Sequence, residues 1–382
     1  IAFPLISTGG FGYPKEEGMR IAVDEINVFL LNNEMEIFLV VFDDKSKEVI
    51  EALRLRHAVA VHHSDFEDEE LLRLKKERSG AEYCWTCTTA IIEYVLDNFD
   101  VSNCTYLDSD LYFYKDPKEL FDEIEGAGAD TCIVEHRFKD DSFGRRLEKR
   151  NGRYCVEFNY FTQSDNSRKI LAWWRDKCRE WCFDIPEPDR MGDQKYLNKF
   201  PQLFSGVHVL KNPGGGVAPW NLEKYRYVGN QDEKIATESD AHITDKEKDI
   251  NVGKIKDRDK ECMSCPDVIR LKTAEGKEFD LIFYHFQNIR YMPGRYVNIK
   301  SQTHDKGLKY RIYIPYLKEI EKIRGELREK FCIDLSDKMI VRSSNRLLGT
   351  LQKYLAAFKI RHISDVLSLN KLDKYEKKYC NS

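Results

Sequence analysis

Two carboxylates stand at i and i+2 in Tyr106-Leu107-Asp108-Ser109-Asp110-Leu111, where an apolar run ends. In extended chain, residues two apart point to the same side, so both carboxylates can converge on one hard cation, and such a cation neutralises a diphosphate. Aspartates also cap strands and open turns, so the tripeptide by itself leaves both readings open. Two cysteine pairs, Cys84-Trp85-Thr86-Cys87 and Cys262-Met263-Ser264-Cys265, each have the spacing of half a tetrathiolate zinc site. About 175 positions separate them, and the first falls in an apolar helical stretch, which favours free thiols over structural zinc.

The elements that must hold such residues need a core. A chain of 382 residues with 42% hydrophobic and 12% aromatic content has enough apolar surface for one large or two medium domains, which excludes disorder and fibrous repeats. No run approaches the roughly 18 apolar residues of a bilayer span, the longest being Ile37 to Phe42. The net charge of −4 hides an asymmetry: residues 306–382 carry 18 Lys/Arg against 9 Asp/Glu, about +9, leaving about −13 elsewhere. A basic tail on an acidic body suits a polyanionic partner or an anionic membrane surface; a solvated helical face is the plainer reading. Eleven cysteines, several in apolar surroundings such as Cys104, Cys132 and Cys155, read as reduced, buried thiols in a cytoplasmic protein. Ile1 opens inside a strand-like segment with neither a basic leader nor a small-residue cleavage site, so the expectation is that processing or truncation removed the true start.

Strand-like and helix-like segments alternate through the first half, which predicts an α/β domain. Ile1 to Thr8 is an apolar run ending in Gly9-Gly10, Lys15 to Asn33 has helical spacing, and Ile37 to Phe42 reads as a buried strand, together one βαβ unit. A helix is expected near Ser46, a short strand at Ala58 to Val61, a charged helix at Glu67 to Lys76 and an apolar one at Glu82 to Phe99. Cys104 to Leu107 is a strand that stops at Asp108; helix at Lys118 to Glu125 and strands at Thr131 to Val134 and Arg153 to Phe161 follow. Ser167 to Cys182, with Trp173-Trp174, is an amphipathic helix, and Gly214-Gly215-Gly216 marks a bend that lets backbone approach a ligand. Residues 229–277 form a polar excursion, and beyond Leu308 the pattern is helical, with Tyr313 to Phe331 and Arg342 to Phe358 as candidates.

The stretch from Glu82 to Pro117 resembles glycosyltransferases of the GT-A nucleotide-sugar fold, family 8 in particular, which carry a Tyr-Leu-Asp-x-Asp strand followed by an apolar segment ending in Asp-Pro or Asp-Leu, here Asp116-Pro117. Four further matches follow in the family's order: Phe158-Asn159; Gly192-Asp193-Gln194 with Leu197-Asn198; Gly214 to Asn221 with Ala218-Pro219-Trp220-Asn221; and Tyr284-His285-Phe286. Glu82 to Cys87, Phe158 to Phe161 and Trp173-Trp174 are similar to a poorly characterised bacterial branch of cell-surface polysaccharide transferases. Where family 8 commonly follows its histidine with Gly and then Lys-Pro-Trp, this chain has Asn288, Ile289, Arg290 and Tyr291, so Arg290 is the candidate replacement for the lysine that contacts the diphosphate.

The resemblance implies a mixed central sheet, a C-terminal helical extension and a divalent cation, Mn²⁺ or Mg²⁺, held by Asp108, Asp110 and His285 against a nucleotide-sugar donor. UDP is the family's habit. Charge on the departing diphosphate would then be stabilised as the glycosidic bond breaks. Asn159 faces the donor sugar, Asp193 orients its hydroxyls, and Gln194 lies at the back face of the anomeric carbon in a reaction that retains configuration. Each has a plainer alternative: Gln194 an ordinary helix N-terminal amide, His285 a satisfied core histidine, Trp220 a packing aromatic. His136 is the other histidine of interest.

Residues 1–42 resemble the C-terminal part of a macro domain, the ADP-ribose-binding module, through Ser7-Thr8-Gly9-Gly10-Phe11-Gly12-Tyr13-Pro14. That string matches the loop whose backbone N–H groups wrap a diphosphate, which makes Gly9, Gly10 and Gly12 candidate contacts. The adenine-contacting aspartate and asparagine-bearing loop of macro domains have no counterpart here. The expected division is a macro-like βαβ at 1–42 completing the sheet, a GT-A domain at 43–305 and a basic helical region at 306–382. The expected activity is hexose transfer to a polysaccharide or lipid-linked acceptor, with peripheral contact at the inner membrane face and no nucleic acid. An ADP-ribose-binding module and a catalytically silent chimera are the rivals.

Overall fold

The computed structural model describes residues 2–4, 37–41, 58–228, 268–292, 294–331 and 365–380. Strands β1 (Ala2–Pro4), β2 (Ile37–Val41), β3 (Ala58–His62) and β4 (Asn103–Leu107) enter one sheet. The short β5 (Leu111–Phe113) leaves it, and β6 (Thr131–Glu135), β7 (Tyr154–Thr162) and β8 (Val207–Val209) return to it. The spatial order is β3-β2-β1-β4-β7-β6-β8. Neighbours β3, β2, β1 and β4 run parallel, whereas β7 is antiparallel to both β4 and β6. The protein is therefore α/β, as its alternating segments predict, and its central sheet is mixed, as the resemblance implies.

Strand β7 lies between β4 and β6. All but the last residue of Tyr-Cys-Val-Glu-Phe-Asn-Tyr-Phe-Thr is buried, as befits a strand covered on both faces. Two polar side chains, Glu157 and Asn159, are buried with it, and burying either is costly without a partner.

Helices α1 (Glu69–Glu77), α2 (Gly80–Asn98), α3 (Lys118–Gly126), α4 (Ser142–Asn151) and α5 (Asp165–Glu180) alternate with the strands; α2 and α5 pack on the sheet, and α1 packs on both of them. Ser79 and Glu82 form a capping box that starts α2, Ser79 accepting from the Glu82 N–H and the Glu82 carboxylate from the Ser79 N–H. Its apolar side chains Ile91, Ile92 and Val95 join Trp174 and Phe161 in a core beneath α5, where the Phe161 and Trp174 rings stack at 6.0 Å. On the other side, Leu120 and Ile124 of α3 pack on Cys132, Val134, Phe158 and Phe283.

The last third adds small sheets. Strands β9 (Arg226–Tyr227), β10 (Arg270–Lys272) and β11 (Glu278–Asp280) form one, β12 (Phe283–His285) pairs with β5, and β13 (Arg290–Met292), β14 (Tyr296–Asn298) and β15 (Val366–Ser368) form another. The end of the polar excursion thus includes strand β10, where fully buried Leu271 sits in the middle strand of its sheet. Helices α6 (Lys306–Phe331) and α7 (Leu372–Tyr379) complete the described chain. The C-terminal helix is present as expected, but it starts at Lys306 and is not a detachable tail. Leu308, Ile312, Tyr313, Ile314 and Leu317 of α6 are buried with Tyr284, Phe286, Val297 and Leu367. The expected helices at Lys15 to Asn33, near Ser46 and at Arg342 to Phe358 lie outside the described residues, as do Gly9, Gly10, Gly12, Cys262, Cys265 and residues 229–267.

Candidate functional site

Asp108 directly follows β4, and its N–H continues the ladder by donating to the Glu157 carbonyl at 3.0 Å. The chain then turns, the Leu111 N–H donating to the Asp108 carbonyl at 3.4 Å, and β5 pairs with β12 so that Leu111 lies opposite His285. This crossing brings residues 175 or more positions apart in sequence into one cluster: ligand atoms of Asp108, Asp110 and His285 all lie within 4.8 Å of one another. His285 Nε2 is 2.8 Å from Asp110 Oδ1 and 3.9 Å from Asp108 Oδ2. Both aspartates remain about a third exposed, so the cluster opens to solvent on the carboxylate side.

The other ring nitrogen meets a residue that sequence reasoning passed over. Glu157 Oε2 is 2.7 Å from His285 Nδ1, and the Glu157 side chain is wholly buried. Its Oε1 has no hydrogen-bond partner among the described residues. A carboxylate in the middle of a buried central strand was the available signal. Glu157 stands in β7 between Cys155 and Asn159, where the pairing with β6 shifts register between Cys132 and Val134. Cys155, Glu157 and His285 also lie within 4.8 Å of one another.

Asn159 is completely buried, and neither of its side-chain polar atoms has a partner among the described residues. It lies opposite Tyr106, whose hydroxyl donates to Asp108 Oδ1 at 3.1 Å. Asp193 is buried and accepts from the Thr88 hydroxyl at 3.1 Å, while its carbonyl takes the Trp174 indole N–H at 2.9 Å. Gly192 before it has φ +52°, and a Cβ there would lie 3.3 Å from the Trp85 ring, so this turn suits glycine. Half-buried Gln194 opens a 3₁₀ helix, Gln194–Lys199, of which Asp193 is the N-cap residue. Arg290 lies on β13, with a buried Nε that has no partner among the described residues.

The electrostatics show a deficit of positive charge. Burial pushes the Asp108 carboxyl well above its ordinary range against the pull of His285, and Asp110, Asp193 and Glu157 push it further. Burial likewise raises Asp193 to about 7, hydrogen bonds from Thr88 and backbone offsetting only part. Asp110 runs the other way: burial would raise it, but the charge and hydrogen bond of His285 hold it down. Burial would lower His285, but Asp110, with Cys155 and Glu157, holds the imidazole well above its usual value. Among the described residues no Lys or Arg pairs with any of the four carboxylates. Two carboxylates and an imidazole, backed by further negative charge, form a donor set that fits Mg²⁺ or Mn²⁺.

The Gly-rich bend supports this cluster. Arg137 donates to the carbonyls of Leu210, Asn212, Pro213 and Gly215, pinning the loop. Beyond it, the His285 N–H donates to the Val217 carbonyl at 3.0 Å. Trp220 stands edge-on to His285 with ring centroids 5.2 Å apart and donates from its indole to the His136 carbonyl at 2.8 Å. His136 is buried, stacks on Phe138 and is lowered by burial to about 3, so it is neutral. It therefore packs behind the cluster. Cys84 and Cys87 lie on α2 as free thiols, Cys87 within the core.

No protein-family profile matches the chain. Among curated proteins it is 26% identical over 304 residues to the uncharacterised protein YfnD of Bacillus subtilis strain 168, covering 78% of this chain and 84% of that one. It is 30% identical over 201 residues to YfnF of the same organism, covering 52% of this chain and 66% of that one. A further similarity, 46% over 55 residues, is to an O-acetyl-ADP-ribose deacetylase of Klebsiella pneumoniae strain 342 and spans 14% of this chain and 31% of the deacetylase. Solved structures similar over 58% of the chain include mouse xyloside xylosyltransferase 1 in its apo form, at 14% identity, TM-score 0.34 and 88% of that chain. They also include galactosyltransferase LgtC in complex with donor and acceptor sugar analogs, at 14% identity, TM-score 0.36 and 76% of that chain.

Proposed function

We propose that this protein is a metal-dependent glycosyltransferase of the GT-A, family 8-like type, moving a hexose from a nucleotide-diphosphate sugar to a polysaccharide or lipid-linked acceptor with retention of configuration. One observation carries the reading: Asp108, Asp110 and His285, the three residues proposed as ligands, gather ligand atoms within 4.8 Å at the end of a central strand. A divalent cation held there, Mn²⁺ or Mg²⁺, would supply charge neutralisation for the diphosphate leaving group. Around it, Asn159 offers an unpaired buried amide to the donor sugar, Asp193 orients hydroxyls and Gln194 supports the back face of the anomeric carbon. Arg290 supplies a diphosphate contact in place of the family's lysine.

The same reading divides the chain at 42 and 305 and gives residues 1–42 the place of the opening βαβ unit. Its support is the parallel pairing of β1 with both β2 and β4, Ala2 lying opposite Tyr106. Gly9, Gly10 and Gly12 then belong near the diphosphate through their N–H groups. The work site is the cytoplasm, with peripheral membrane contact through the basic C-terminal region. No described helix is long and apolar enough to cross a membrane. Because α6 is part of the core, membrane contact is tested by reversing charge at exposed Lys371, Lys374 and Lys377. The triple Glu variant should sediment less with acidic liposomes, and unchanged sedimentation overturns the contact.

The deciding experiment is thermal melting with Mn²⁺ across UDP, GDP, UDP-sugars and ADP-ribose, since a ligand that binds the native state raises Tm by mass action. A Mn²⁺-dependent rise with one nucleotide or nucleotide sugar is expected. A rise only with ADP-ribose, independent of metal, replaces transfer by a binding module; no rise with any ligand leaves a silent fold.

A further inference from the structure

From the geometry we infer that Glu157 is the positioning residue of the metal centre: it receives the Nδ1–H of His285 and so presents Nε2 to the cation beside Asp108 and Asp110. The inference rests on the proposed cation site and adds a residue that its motifs do not contain. Three observations carry it. The Glu157 side chain has no exposure at all, and its one hydrogen bond among the described residues runs to His285 Nδ1, at 2.7 Å. The opposite ring nitrogen, Nε2, is the one that faces both aspartates, at 2.8 and 3.9 Å. Finally, space has been left for this carboxylate: Gly216 has φ +89°, and a Cβ there would lie 3.1 Å from Glu157 Oε1 and 2.7 Å from Val134 Cγ1.

A buried carboxylate in a central strand is costly unless it does something that an apolar residue cannot. Here it fixes a ring. Imidazole binds a metal through one nitrogen only, and the hydrogen bond at the other nitrogen sets both the tautomer and the ring plane. A side chain at 157 that cannot accept that hydrogen leaves His285 free to place its proton on Nε2 and rotate away from Asp110. The strand ladder holds the arrangement from behind, because the Glu157 carbonyl receives the Asp108 N–H at 3.0 Å. One residue thus supports two of the proposed ligands, through its side chain and its backbone.

The test is Mn²⁺ affinity measured by electron paramagnetic resonance on the full chain without donor, for the wild type, Glu157→Gln, Glu157→Leu and Asp110→Asn, each with its Tm. Glu157→Leu, which cannot accept the Nδ1–H, should weaken Mn²⁺ binding by about 10- to 100-fold, the usual cost of losing an outer partner, and Glu157→Gln, whose amide oxygen still accepts but carries no charge, by less. A variant-free measurement accompanies it: ¹⁵N spectra of histidine-labelled wild type in Mg²⁺, with His285 assigned by its loss in His285→Asn. They should show Nδ1 protonated and Nε2 bare. Wild-type binding that Asp110→Asn abolishes but both Glu157 variants retain overturns the role of Glu157 alone. Nε2-protonated His285 in Mg²⁺ does the same even if the variants fail to fold. A wild type that binds no Mn²⁺ overturns the cation site and this inference with it.

Discussion

The backbone N–H of Phe286 donates to the carbonyl of Asp110 at 2.7 Å, so the residue after the histidine holds the second aspartate of the pair. Asp110 is fixed by its main chain from β12 and by its side chain from His285, and its carboxylate is held low by that same histidine. Asp110→Asn keeps the main-chain bond and the side-chain volume but removes the charge. The expected result is a loss of Mn²⁺ affinity at least as large as the ~10–100-fold cost of an outer partner, with Mn²⁺-dependent donor hydrolysis abolished. Calorimetric titration and a nucleotide-release assay check it. Retained hydrolysis sinks the metal assignment.

Gly216 supports a second prediction. Its backbone is left-handed, and the added methyl of Gly216→Ala would press on Val134 and Glu157 together. The strain and contact should lower Tm by several degrees, an effect on the order of 1–3 kcal/mol for overpacking, and should weaken Mn²⁺ binding through Glu157. Paired melting and Mn²⁺ titration separate the two effects. Weaker melting with unaltered Mn²⁺ affinity would make Gly216 a packing residue only.

Asp193 makes stability depend on pH in a definite direction. Its folded value of about 7 stands above the ordinary 3.8, so the native state holds a proton that the unfolded chain has released across that interval. The stabilisation is complete below about pH 4, declines as pH rises and is gone above about 7; its full extent is on the order of 4 kcal/mol. Asp193→Asn cannot ionise. In chelator-treated protein, its Tm should therefore gain on the wild type as pH rises from 4 to 7 and hold a constant lead above that. A gap that does not change with pH refutes the shift.

Much of this site was legible because its residues interrupt a pattern. The Asp-x-Asp pair stood where an apolar run stopped, Gly192 preceded two polar residues at a helix start, and the Gly214 to Gly216 run announced a bend. Such breaks are local, and local chemistry is readable. The pairing of β5 with β12 is not: the facing residues Phe113 and Phe283 are 170 positions apart, and no short-range pattern specifies that register. Glu157 was missed for a related reason. Its place in β7 near Asn159 is plain in the sequence, but only the arrival of His285 from β12 turns a misplaced carboxylate into a partner. In the C-terminal region composition displays the excess of lysine and arginine but not the packing: the apolar side chains of α6 that bury against Tyr284 and Phe286 are spaced among those charges.

One of those charges is itself buried. Lys309 on α6 lies 2.6 Å from Asp365, just before β15, and the two side chains are 2% and 6% exposed. Ser301 also donates to the Asp365 carboxylate, at 2.8 Å, so one carboxylate joins the entry to α6, the helix and the last strand. Breaking a buried pair from one side leaves an uncompensated charge, whereas replacing both partners together removes the problem. Lys309→Met and Asp365→Leu should each destabilise by about 3–5 kcal/mol, and the double variant by clearly less than their sum. Chemical denaturation of the four proteins closes the cycle. Strict additivity would mean that the pair is not coupled and that α6 is held by Ile312, Tyr313 and their apolar neighbours alone.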